Sequence, residues 1–152
     1  MEFNHFLTSY MPNVNIGSKV HFENMLKESV LAEKCGYATV SIPEHHLINL
    51  LMMPSPLQMA VKIASITKKI NITTGIVVLP IHDMRTYAGE VTTADILTDG
   101  RLILGVGRGA FPWEMERLGT PIETSKEKFV ESLEVLQPVS YTHLTLPTIL
   151  PV

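Results

Sequence analysis

Four short runs carry the residue types that move protons or grip anions: Glu44-His45-His46, His82-Asp83 with Arg85, Gly107-Arg108-Gly109, and Thr8-Ser9-Tyr10. Imidazole is the side chain whose ordinary titration falls near neutrality. His45 and His46 beside Glu44 therefore offer general acid/base chemistry. They make a poor metal site. Successive side chains on extended backbone point to opposite faces, so only one of the two histidines reaches a given ion. The run also lacks the i, i+4 helical spacing of a zinc-protease motif. Arg108, set between two glycines, offers a guanidinium for a phosphate on backbone that a ligand can approach closely. "GVGRGAF" has no third glycine of the dinucleotide fingerprint. Each run also has a plainer reading, a solvated loop at 44–46 and a strand-to-loop turn at 107–109.

The elements that must hold these residues alternate. "MEFNHFL", "YATVSI", "INITTGIVVLP" and "RLILGVG" read as strands rich in apolar and β-branched residues. Between them lie helical patterns. Phe22, Met25, Leu26, Val30 and Ala32 fall at helical spacing, and Gly36 follows as a C-cap glycine. Ser55, Pro56 and Gln58 read as the N-cap, first residue and capping-box partner of a second helix, with Leu57, Ala60, Val61 and Ala64 on its apolar face. Met84, Tyr87, Ala88 and Val91 mark a third, and Thr124 with Glu127 opens a fourth.

Strand-helix units repeated four times predict an α/β fold whose parallel strands are buried on both faces. A doubly wound sheet and a β/α barrel both fit. In either, ligands sit at the carboxyl ends of the strands. All four chemistry-bearing runs follow a strand, so they share one rim, while "CGY", "KKI" and "TDG" lie on the other.

Composition narrows the function classes. Net charge is −3 and the basic residues are scattered, which argues against a nucleic-acid partner. No apolar run is long enough to span a membrane, and Met1 to Tyr10 has no signal-peptide core. The single cysteine, Cys35, reads as a small core residue and fits a reducing cytoplasm. Met52 and Met53 read either as an apolar loop cover beside the histidines or as anomalously exposed apolar residues. Pro138 is expected to break the fourth helix. Residues 138–152, apolar and uncharged, are expected to stand outside a domain spanning 1–137. Their "SYTHLTLPT" resembles translated sequencing-adapter DNA.

"MEFNHFLTSYMP", "AEKCGYATVSIPEHH", the run from Lys68 to Gly109 and "EMERLGTP" together resemble the bacterial-luciferase-like flavin-dependent monooxygenases. The resemblance covers about Met1 to Leu136 and implies a TIM-type (β/α)8 barrel, of which this chain holds the first four βα units. It implies reduced FMN as cofactor and O2 as co-substrate. A small organic, aldehyde-like substrate would be oxidised through a flavin hydroperoxide. Partners would be a flavin reductase and a second subunit in a homo- or heterodimer. His45 matches the catalytic histidine. Glu44 matches a carboxylate near the flavin ring, and Gly75 and Ile76 match a non-prolyl cis peptide against which the ring packs. Arg108 matches a phosphate-binding arginine and Ala110 a backbone contact; no metal is implied. Asp83 replaces the proline usual between the counterparts of His82 and Arg85. Half a barrel leaves two strand edges unpaired, so the isolated fragment is expected to be inactive. The alternatives are a deazaflavin-dependent oxidoreductase and a non-catalytic flavin-binding or partner subunit.

Overall fold

The structure, a computed structural model, describes residues 1–49 and 51–143. β1 (Asn4–Phe6) leads into α1 (Ser18–Lys34), β2 (Thr39–Ile42) into α2 (Pro56–Ala64), and β3 (Asn71–Thr74) with β4 (Val77–Val78) into α3 (Met84–Leu97). β5 (Leu102–Ile103) and β6 (Val106–Gly107) follow, then α4 (Pro112–Arg117) and α5 (Ser125–His143). Pairing is parallel throughout and runs in chain order, β1-β2-β3-β5. Asn4 lies opposite Thr39, Thr39 opposite Asn71, and Ile72 opposite Leu102. A doubly wound sheet reverses its order at a switch point, whereas here each strand adds to the same side, as in a barrel. The chain is a sector of the (β/α)8 barrel, its first four βα units.

The third and fourth predicted strands are each interrupted. A cis peptide bond at Gly75–Ile76 separates β3 from β4, and Leu104–Gly105 separates β5 from β6. Beyond both breaks β4 and β6 pair on their own. At the break the two chains run very close. A Cβ on Gly105 would strike the Thr74 carbonyl, and the Thr74 hydroxyl donates to the Gly105 carbonyl at 2.8 Å.

The core lies between the sheet and its helices. Val40, Ile42, Ile72 and Leu102 from the strands meet Met25 from α1, Ala60 and Ile63 from α2, and Val91 from α3. Each of these side chains except Ala60 stabilises the fold by about 1.5–3 kcal/mol through removal from water. The predicted faces of α1 to α3 are the faces that pack, with Phe22, Leu26 and Val61 only partly covered. Burial on both faces of every strand does not hold. β2 is flanked by two strands and is almost wholly buried, while in β1 Asn4 and Phe6 are exposed.

Other local expectations also change. Ser55 is the N-cap of α2, at ψ 77°, but no side-chain cap bond forms. Thr124 donates to the Pro121 carbonyl instead of capping α5. Cys35 is exposed at the C-cap of α1, because Gly36, at φ 80°, turns the chain outward there. α5 does not stop at Pro138 but runs to His143. Its buried Phe129 and Leu136 anchor the turns before the proline, which offsets the roughly 3 kcal/mol an interior proline costs. Residues 144–152 of the expected tail lie outside the described residues.

Arg101 locks the rim opposite the chemistry-bearing residues. Its guanidinium donates to the carbonyls of Ala64, Ile70 and Thr98 and to the Thr67 hydroxyl, at 2.8–3.3 Å. That ties the end of α2, the start of β3 and the end of α3 to β5.

Candidate active site

A cavity of about 830 Å³ opens at the carboxyl ends of the strands. Glu44, His45, Gly75, Ile76, Arg108 and Ala110 all line it. These six come from the ends of β2, β3 and β6, so it is the parallel register that gathers residues far apart in sequence.

His45 is fixed from both sides. Its amide donates to the Met53 carbonyl at 2.9 Å, which folds the 47–53 loop back against the strand end. Its ring lies 5.6 Å from that of Phe111, centroid to centroid. Nδ1 is buried without a hydrogen-bond partner among the described residues. The nearest acid oxygen is Glu114 Oε2, at 3.9 Å. Met53 is 0% exposed and belongs to the core, so it is no cover over the site, while Leu47, 58% exposed, faces outward. The Met53 side chain is buried because its backbone pairs with His45 against the strand end.

Glu44 does not present a free carboxylate to the cavity. Oε2 accepts from the Val78 amide at 2.6 Å, and Oε1 sits 3.0 Å from His46 Nε2 and 2.8 Å from His82 Nε2. Burial pushes its carboxyl up, but the two histidines and the Val78 amide outweigh this and hold it below the ordinary value. The Glu44 bond raises His46, against an opposing effect of burial, with further help from the charges of Glu44 and Glu114. The His46 ring turns back on Glu44. His82 stacks on Tyr87, centroids 3.8 Å apart. Burial, with the charges of Glu44 and Glu90, pushes the Tyr87 hydroxyl up. Arg85, exposed, closes on Asp83, whose carboxyl the guanidinium holds down at about 2.

A Cβ on Gly107 would strike the Ile76 side chain, and Gly109 needs φ 87° and has Met115 and Val78 where a Cβ would go. Gly107 and Gly109 are thus packed against the protein's own side chains, beside the exposed Arg108. An apolar wall of Ile76, Val78 and Phe111 beside the cationic Arg108 fits a flavin ring and phosphate. Residue types and spacing alone miss Glu114 and Phe111. Both sit in "AFPWEMERLGTP", where no spacing rule marks them; only the resemblance touched that run. Among the described residues no cluster of three His, Cys, Asp or Glu side chains could hold a metal, and no helix is long and apolar enough to cross a membrane.

The family model for luciferase-like monooxygenases matches residues 1–145. The chain belongs to that family. The protein y4vJ of Sinorhizobium fredii is 32% identical over 90% of this chain and 39% of its own length. The oxygenase component of the flavin-dependent trigonelline monooxygenase of Acinetobacter baylyi is 33% identical over 64% of this chain and 27% of its own. The oxygenating constituent of 3,6-diketocamphane monooxygenase from Pseudomonas putida, solved in complex with FMN, superposes with a TM-score of 0.84 at 23% identity. That match covers 91% of this chain and 40% of the solved one. The chain thus spans about two-fifths or less of the luciferase-like proteins it matches.

Proposed function

We propose that the chain is the N-terminal half of a monooxygenase that uses reduced FMN and O2 to oxidise a small, aldehyde-like organic molecule. A flavin reductase would supply the reduced cofactor and a second subunit would complete a dimer. The observation that carries this reading is the gathering of six separately identified residues around one cavity, with the His45 ring at its edge. The trigonelline enzyme's name, an oxygenase component, supports the reductase.

Reduced flavin supplies the electrons that activate dioxygen; the protein's part is to hold, shield and move protons. Arg108 neutralises the phosphate. Ala110, exposed at the rim, would offer its backbone to the cofactor, and Ile76 would support the ring face. His45 exchanges a proton at the reacting edge. Glu44 acts from beneath the floor, because both its oxygens are already engaged. Phe111 and Ile76 keep water from the apolar part of the cavity.

Anaerobic titration of the full-length protein that contains this chain with reduced FMN, then oxygen, tests this. The expected result is FMN binding that weakens at least tenfold in Arg108→Ala. On oxygen exposure, His45→Ala should bind equally well but release more peroxide per flavin oxidised. Binding and hydride exchange with a reduced deazaflavin alone would replace the reading with a deazaflavin oxidoreductase. Binding with no effect of His45→Ala would leave a non-catalytic flavoprotein.

A further inference from the structure

We infer that Glu114 is the positioning residue of His45, fixing its tautomer and ring orientation; this rests on the acid/base role proposed for His45. A buried nitrogen without a partner faces a buried carboxylate. His45 Nδ1 has no partner among the described residues, and Glu114 Oε2 lies 3.9 Å away. Glu114 is only 5% exposed, and a buried carboxylate is costly unless hydrogen-bonded. Its other oxygen, Oε1, accepts the backbone N–H of His46. The carboxylate is thereby anchored to the residue next to the one it faces.

A distance of 3.9 Å is too long for a hydrogen bond. The backbone on both sides is already held, by Met53 O at His45 and by Glu114 at His46. What remains is rotation of the imidazole and of the carboxylate about their own bonds. With Nδ1–H donating to Oε2, the Nε2 lone pair is left for the cavity. The tautomer is then set by the partner of the other nitrogen.

A carboxylate suits this place and a carboxamide does not. Glu114 offers two acceptor oxygens to two N–H donors. Glutamine offers one, which the His46 amide takes, and turns its NH2 toward His45 Nδ1. The imidazole must then accept at Nδ1 and carry its proton on Nε2. Glu114→Gln is nearly isosteric, so it inverts the tautomer without emptying the site.

The test is imidazole nitrogen NMR on the protein without flavin, at a pH where His45 is neutral. The wild type is expected to show the proton on Nδ1. In Glu114→Gln the Nδ1 and Nε2 resonances of His45 should exchange character, with His5 unchanged as the reference. A wild-type His45 protonated on Nε2 overturns the inference whether or not the variant folds. So does a tautomer unmoved in Glu114→Gln, since a purely structural role would leave it alone. No cofactor enters this readout. The dyad can therefore stand if FMN titration fails, and fall if FMN titration succeeds.

Discussion

Glu44 Oε1 lies 2.8 Å from Nε2 of His82, which the fold brings across from the far end of β4. With His46 at 3.0 Å on the same oxygen, this buried cluster gives stability a pH window. Glu44 titrates below its ordinary 4.5 in the folded chain, so its contribution is present above 4.5 and is lost as pH falls through the lowered value. His46 titrates above its ordinary 6.5, so its contribution is present below 6.5 and is lost as pH rises through the raised value. Both are present together between 4.5 and 6.5. Urea unfolding across pH is expected to show a plateau there, falling on either side. Glu44→Gln should flatten the profile and lower the plateau by about 1.5–3 kcal/mol, the worth of hydrogen bonds to a charged acceptor.

Gly105 and Gly107 are separated by one residue but should respond differently to a methyl group. At Gly107 the obstacle is the tip of Ile76, a flexible side chain that swings into the cavity. Gly107→Ala should keep the fold, with a cost of about 1–3 kcal/mol from overpacking, and weaken FMN at least tenfold. At Gly105 the obstacle is the Thr74 carbonyl, which is backbone and cannot step aside. Gly105→Ala should cost about 3 kcal/mol or more and shift thermal unfolding before any ligand is added. Calorimetry beside fluorescence titration separates the two.

How much of this was legible follows from the range of each interaction. Strand-helix alternation is local, and so the four units, their apolar faces and the shared rim can be read from periodicity. The choice of barrel over doubly wound sheet depends on which side β3 and β5 join, which no local pattern encodes. The six cavity residues are a mixed case. Glu44, His45 and Arg108 stand out by type and place, but the cis bond at Gly75–Ile76 came only from resemblance, because "TTGIVV" reads as one strand. Met53 was misread because its burial depends on a backbone bond to His45. Glu114 was missed as a functional residue because its partners, His45 and His46, lie 69 and 68 positions away by subtraction of their numbers.

Arg101 sits at the end of the barrel remote from the cavity and donates to acceptors in three other segments. A lysine ammonium is compact and cannot reproduce that fork. Arg101→Lys should lose about 2–3 kcal/mol, read from the urea midpoint, as buried carbonyls are left without donors. FMN affinity should not change. A parallel fall in affinity would mean that the two ends of the sheet are coupled.

Met53 and Leu47 distinguish a core from a lid. Met53 is fully buried and its carbonyl holds the His45 amide, while the Leu47 side chain is turned out at φ 58°. If the loop were a water shield, truncating either residue would raise peroxide release with little effect on stability. As core, Met53→Ala should cost about 2–5 kcal/mol, since the site cannot collapse around the missing thioether. Leu47→Ala should stay within about 0.5 kcal/mol, as exposed substitutions do. The Met53 carbonyl survives truncation, so the His45 amide bond should survive in whatever fraction stays folded. Peroxide yield per folded molecule is then expected to match the wild type, which normalising the oxygen reaction to the folded fraction from circular dichroism would show.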